Sequence, residues 1–169
     1  RFDYPRLGPG QMWETVHRNL ESAGGRVLFR RPVSRIHWAP GQGVTGIETP
    51  GGPDAGSQRH QGDAYLSSMP ISELVASLSP APPAEVVAAA KRLRYRDFIL
   101  VAVMFEGEDF FPDNWVYIHS PELSVGRIQN FNNWSAAMVP RPGVTCLGLE
   151  YFCFETDPIW ARTDADLID

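Results

Sequence analysis

The residues best equipped for chemistry lie between Phe111 and Ser135. The run Phe111-Pro112-Asp113-Asn114-Trp115-Val116-Tyr117-Ile118-His119 is followed by Gly126-Arg127-Ile128-Gln129-Asn130-Phe131 and then by Trp134-Ser135. If Trp115 to His119 is a strand, alternation puts Trp115, Tyr117 and His119 on one face and Val116 and Ile118 on the other. With Arg127 to Phe131 paired beside it, Arg127 and Gln129 join the aromatic face. Such a face suits a flat or anionic ligand: rings pack on it, and a guanidinium clamps phosphate or carboxylate with parallel N–H donors. The same residue types also describe a partly exposed sheet face on which Arg127 pairs with an acidic neighbour, since half-buried sheets commonly carry aromatic residues. A third arrangement makes Arg127, Phe131 and Trp134 a stacking platform for single-stranded nucleic acid. It fits poorly, because 20 acidic side chains against 15 basic ones leave a net charge of −5, and general nucleic-acid binding rests on positive charge.

Other motifs carry less. Gly41-Gln42-Gly43-Val44-Thr45-Gly46 satisfies G-x-G-x-x-G, with Asp63 downstream. That pattern serves a dinucleotide only where its third glycine opens a helix facing the pyrophosphate. Here Ile47-Glu48-Thr49-Pro50-Gly51 follows and Pro40 interrupts the preceding strand, so the motif reads as a hairpin turn. His17, His37, His60 and His119 show no metal-ligand spacing. His119, at a strand end, has the chemistry of a general acid or base, although a structural histidine is the commoner occupant of such a place. Cys146 and Cys153 are an odd number of residues apart, so on one strand they face opposite ways; two cysteines of this kind fit a reducing, cytoplasmic setting. Neither has a nucleophile signature, and there is no G-x-S-x-G elbow. Asn133-Trp134-Ser135 fits a glycosylation sequon, read as chance without a secretory signal.

The elements that must position these residues follow from periodicity. At 169 residues the prior is one domain, and 43% hydrophobic with 21% charged residues excludes a disordered chain. No apolar run approaches the ~20 residues of a membrane span. Met12, Trp13, Val16, Leu20 and Ala23 predict a helix from Gly10, stopped by Gly24-Gly25. Strands are expected at Arg26 to Phe29, Pro32 to Trp38, Val44 to Thr49 and around Tyr65-Leu66, with Pro50 to Gly62 a surface loop. Helices follow at Ile71 to Leu78 and, launched from Pro82-Pro83, through Val86 to Leu93. Phe98 to Phe105 reads as a strand buried on both faces, and Trp115 to His119, Val125 to Phe131 and Val144 to Phe154 as further strands. Asp157-Pro158 and Asp164 each open a helix-like start. The expected fold is α+β, a mixed or antiparallel sheet with helices on one side.

At these residues the sequence resembles the flavin-dependent amine oxidase superfamily, which includes protoporphyrinogen oxidase and UDP-galactopyranose mutase, and the resemblance covers nearly the whole chain. Phe2-Asp3-Tyr4-Pro5 through Gly8-Pro9-Gly10-Gln11-Met12-Trp13 is similar to the family's aromatic-Tyr-Pro segment leading into a helix. Gly25-Arg26-Val27 through Pro32-Val33-Ser34-Arg35-Ile36 is similar to the strand whose valine contacts the FAD adenine through its backbone, and Val33 matches it. Asp63-Ala64-Tyr65-Leu66-Ser67-Ser68-Met69-Pro70 is similar to the segment where the chain returns from the cofactor domain. Trp115-Val116-Tyr117 with Arg127, Asn130-Phe131 and Trp134-Ser135 is similar to a segment of the sugar-nucleotide mutases near the substrate diphosphate and the flavin.

The resemblance implies the α+β substrate-binding domain of such a flavoprotein. Residues 1–70 would lead to and from the FAD domain, and residues 71–169 would form the substrate-binding sheet and helices. Trp115, Tyr117, Arg127 and Asn130 are carried over as substrate-binding residues. The chain starts without Met and lacks the family's N-terminal G-x-G-x-x-G unit and its C-terminal FAD segment. It therefore reads as an excised middle region, inert alone, with FAD expected in the intact protein and not on the fragment. Three functions are carried forward: part of an FAD-dependent oxidoreductase, passing hydride from a C–N or C–C bond to the flavin; part of a flavin-dependent mutase acting on a nucleotide sugar; and a binding module without a cofactor. The partners implied are a small-molecule substrate, with an anion favoured, and the missing FAD-binding domain. Nucleic acid and a transmembrane span are not expected, and the aromatic content permits a homodimer interface.

Overall fold

A glycine and a proline start the first helix. Gly8, at φ 82°, hands the chain to Pro9, and helix α1 runs Pro9–Ser22. Proline suits this place because the N–H it lacks would have no partner within the helix. Gly24, at φ 86°, ends the helix, and the Gly25 N–H closes back on the Leu20 carbonyl at 2.9 Å. Met12, Trp13, Val16 and Leu20 lie along α1 with exposed side chains. The structure, a computed structural model, describes residues 3–51, 56–107 and 110–168. It divides the chain into two compact units: Leu28–Arg94, and Arg1–Val27 joined with Tyr95–Asp169. Phe2 of the opening motif and residues 52–55 of the expected loop lie outside the described residues.

The unit Leu28–Arg94 is built on a hairpin. Strands β1 (Arg35–Ala39) and β2 (Gly43–Thr49) pair antiparallel, and Gly41 and Gly43 turn the chain at φ 77° and 75°, the left-handed region that glycine enters without strain. Gly46 sits inside β2 opposite His37, so the G-x-G-x-x-G segment is a hairpin as expected. Strand β3 (Gln58–His60) adds antiparallel to β2, where a loop was expected. The side chain of its His60 meets Thr49 Oγ1 at 3.0 Å. After helix α2 (Ile71–Ser77), the two-residue strand β4 (Leu78–Ser79) pairs parallel with β1, giving the order β3-β2-β1-β4. Helix α3 (Ala84–Lys91) follows Pro82-Pro83.

Two expected strands are not strands. Among the described residues Arg26 to Phe29 joins no sheet and leads into a turn with Arg30 at φ 56°. Tyr65-Leu66 belongs to an irregular segment in which the Tyr65 hydroxyl accepts the Gly62 N–H at 2.8 Å, and Leu66 is fully exposed. Both stretches have strand-like residue types, but pairing decides.

The second unit carries a four-stranded antiparallel sheet of strands β5 (Asp97–Glu106), β6 (Trp115–Tyr117), β7 (Arg127–Asn130) and β8 (Val144–Cys153), ordered β5-β8-β7-β6. Helix α4 (Phe131–Trp134) caps β7, a 3-10 turn occupies Pro158–Ala161, and helix α5 spans Asp164–Ile168. β5 differs from the strand buried on both faces that was expected. It alternates, with Val101 buried while Phe98, Leu100 and Met104 are 56, 47 and 64% exposed. One face of β5 is packed and the other is largely open, and residue types alone do not say whether a second layer covers a strand. Cys146 and Cys153 of β8 are both buried free thiols. Among the described residues no helix is long and apolar enough to cross a membrane. Among the described residues, one mixed and one antiparallel sheet with five helices make the fold α+β.

Candidate functional site

Register assembles the site. Tyr117 lies opposite Arg127, Trp115 opposite Gln129, Arg127 opposite Glu150 and Gln129 opposite Gly148. Directly opposed residues share a face, so Trp115, Tyr117, Arg127, Gln129 and Glu150 all stand on one side of the sheet. Leu100, Phe98 and Phe152 continue that side across β8 to β5. The opposite side holds Val116, Ile128, Leu149 and Val101. Trp115, Tyr117, Arg127 and Gln129 are thus brought together as their spacing predicts, and His119 lies just past β6 with its ring 6.5 Å from that of Tyr117.

Arg127 is held from three directions. Its Nε donates to Glu150 Oε2 at 2.6 Å, and its guanidinium carbon lies 5.8 Å from the Tyr117 ring centroid and 6.0 Å from that of Phe152. Gly126 makes room for the Phe152 ring: a Cβ there would meet Phe152 Cδ2 at 2.6 Å. Gln129 Nε2 donates to the other Glu150 oxygen, Oε1. Glu150 is 2% exposed, whereas the Arg127 side chain keeps 29% exposure. The acidic neighbour expected for a partly exposed sheet face is therefore real, and it stands on the same face as Arg127, covered by its neighbours.

The electrostatics follow from these contacts. Burial by itself would push the Glu150 carboxyl up, but the hydrogen bonds from Arg127 and Gln129, with the charge of Arg127, outweigh it and hold the group below the usual carboxylate range. The Glu150 hydrogen bond raises Arg127 above its ordinary value; burial opposes this and Tyr117 adds to it. Arg127 is a permanent cation. Burial pushes the Cys146 thiol up, away from the thiolate a nucleophile needs.

Aromatic rings wall the site. Trp115 stacks on Trp134 at 5.4 Å and 8°, and Tyr4 packs on Trp134 at 4.8 Å. A depression of about 350 Å³ beside Trp115 is lined by Pro112, Asp113 and Asn114 as well. Asn130 is placed elsewhere. It is 3% exposed, its Nδ2 donates to the Phe111 carbonyl at 3.3 Å, and its Oδ1 accepts from the Asn132 N–H at 3.2 Å, capping α4. It faces the opposite side from Arg127, because successive strand residues alternate and Asn130 is three positions on. Val33 belongs to the other unit, where it lines a cavity of about 390 Å³ with Ile36, Val44, Ile47, Tyr65 and Leu74. Glu150 was not singled out from sequence. Its signal is a lone charge inside the otherwise apolar run Val144 to Phe154, where a carboxylate persists only if something pairs with it.

The fold is α+β, and one face of its antiparallel sheet gathers Trp115, Tyr117, Arg127 and Glu150. Residues 4–148 match the family described as flavin containing amine oxidoreductase. The chain belongs to that family. In three dimensions it is similar to the crystal structure of reduced UDP-galactopyranose mutase, with TM-score 0.74 and 18% identity, over 98% of this chain and 34% of that one. It is also similar to the PF1083 protein from Pyrococcus furiosus, with TM-score 0.71 and 15% identity, over 92% of this chain and 37% of that one. At these identities the likeness is one of fold, and the chain spans about a third of each structure. No curated protein sequence matches it.

Proposed function

We propose that the chain is the substrate-binding portion of an FAD-dependent oxidoreductase of the amine oxidase and protoporphyrinogen oxidase type, working with an FAD-binding domain and inactive without it. The observation that carries this reading is the single sheet face holding Trp115, Tyr117 and Arg127, in a chain that matches the family over residues 4–148. The flavin in such an enzyme accepts hydride from a C–N or C–C bond, and the protein supplies binding and orientation. Trp115, stacked on Trp134, offers a flat wall to the substrate. Arg127 offers a fixed cation to an anionic group, with the Tyr117 hydroxyl beside it.

The fit of this chain to FAD is partial. The apolar cavity lined by Val33, Ile36 and Val44 suits the flat adenine end. The one glycine-rich dinucleotide pattern is a hairpin turn and not a helix start, so the chain has no such cradle for the pyrophosphate among its described residues. Val33 would therefore contribute an adenine contact, and the chain alone is expected to bind FAD weakly.

A second reading keeps the fold and changes the reaction: a flavin-dependent mutase on a nucleotide sugar, with Arg127 and Tyr117 on the diphosphate. The Arg127–Tyr117 pairing favours it, since a diphosphate wants a cation and a hydroxyl donor. The two part experimentally in the flavin-loaded protein. Oxygen or quinone consumption coupled to an amine or porphyrinogen supports the first. A Kd for UDP-sugars that weakens in Arg127→Ala supports the second. Absence of flavin absorbance from the protein containing this chain would overturn both.

A further inference from the structure

We infer that Glu150 is a positioning residue that fixes the direction in which Arg127 presents its guanidinium to an anionic ligand; the inference rests on the reading of the Trp115–Tyr117–Arg127 face as the substrate side. A carboxylate buried to 2% exposure in the middle of an apolar strand is costly unless it is paired. Both of its oxygens are engaged by β7, Oε2 by Arg127 Nε at 2.6 Å and Oε1 by Gln129 Nε2. The contact uses Nε. The two terminal nitrogens of the fork, which match a carboxylate or phosphate, are not consumed by Glu150.

The rings add to this. Tyr117 and Phe152 lie 5.8 and 6.0 Å from the guanidinium carbon, and Gly126 is the residue that admits Phe152 so close. A long flexible side chain is thereby held in one orientation before any ligand arrives, which removes an ordering cost from binding. A negative charge beside a ligand-binding cation would weaken anion affinity if charge were all that mattered. The geometric and electrostatic roles of Glu150 thus make opposite predictions for conservative variants.

The test is a calorimetric titration of the protein with inorganic pyrophosphate, using wild type, Arg127→Ala, Glu150→Asp and Glu150→Gln. Each variant is first confirmed folded by circular dichroism at the titration temperature. Asp keeps the charge but is one methylene too short to reach Arg127; Gln loses the charge but keeps an acceptor for Nε. Positioning predicts that Glu150→Asp binds about tenfold more weakly or worse, and that Glu150→Gln stays within about threefold of wild type. It also predicts that the Arg127 Nε–H resonance keeps its position in Glu150→Gln and shifts in Glu150→Asp. Unchanged affinity in Glu150→Asp, or tighter binding in Glu150→Gln, overturns the inference. If Glu150→Asp does not fold, the Glu150→Gln affinity and its Nε–H resonance decide alone. If wild type shows no binding that Arg127→Ala abolishes, the anion-site reading falls first and the inference falls with it.

Discussion

Arg127 Nε and Glu150 Oε2 lie 2.6 Å apart at directly opposed positions of β7 and β8, with the carboxylate buried and the guanidinium partly open to solvent. The pair ties β8 to β7 on the aromatic face of the sheet. Glu150 alone would be a buried charge, and Arg127 alone would be a mobile surface cation. Together they make a fixed cation with one side committed inward.

Removing the cation strands the carboxylate. Arg127→Met leaves Glu150 buried with only Gln129 donating to it, which costs about 2–4 kcal/mol, toward the low end because Arg127 is 29% exposed. At roughly 2–4 °C per kcal/mol, thermal melting should fall by about 4–16 °C. A Tm within a degree or two of wild type would mean that the pair contributes little.

Acid should act through the same carboxylate. Glu150 is held below its ordinary value of 4.5, so its contribution to stability is complete above that pH and is lost as pH falls below it through the depressed folded value. A series of melting curves should show Tm level from neutral pH down to about 4.5 and falling beneath it. Glu150→Gln should flatten the part of that fall due to this group. Identical acid profiles for wild type and Glu150→Gln would contradict the assignment.

Gly126→Ala should disturb the site with little change elsewhere. The added Cβ meets the Phe152 ring at 2.6 Å, so the ring must move from its place beside Arg127. Overpacking of this kind costs about 1–3 kcal/mol. The Arg127 Nε–H resonance and the near-ultraviolet circular dichroism should both change; neither changing would show that Phe152 has room.

The alternation of β5 gives a sharper contrast. Val101→Ala, on the buried face, should cost about 1–3 kcal/mol. Met104→Thr, 64% exposed on the other face, should stay within about 0.5 kcal/mol. Denaturant unfolding measures both, and equal costs would mean that both faces are packed.

Much of this arrangement is legible in the sequence, and the reasons differ by element. Helix α1 announces itself through Pro9, Gly24-Gly25 and the helical spacing of Met12, Val16 and Leu20, because caps and periodicity are local. The aromatic face is readable because period two fixes which residues point together once β6 pairs with β7. What is not local is less readable. Arg26 to Phe29 and Tyr65-Leu66 have strand-like composition but join no sheet among the described residues, while Gln58–His60 lacks that composition and pairs with β2. Glu150 is 23 residues from Arg127, and only the register of β8 brings them together. Asn130 shows the same limit: Gln129 stands on the aromatic face, but one more residue along the strand turns Asn130 to the other side, where its side chain caps α4.

The central claim is that the Trp115–Tyr117–Arg127 face receives the substrate, and nuclear magnetic resonance of the isotope-labelled protein titrated with pyrophosphate tests it most directly. The account predicts saturable shifts concentrated on the Trp115 indole N–H, Tyr117 and the Arg127 Nε–H, all abolished in Arg127→Ala. Shifts confined to other parts of the chain, or the same shifts persisting in Arg127→Ala, would contradict it.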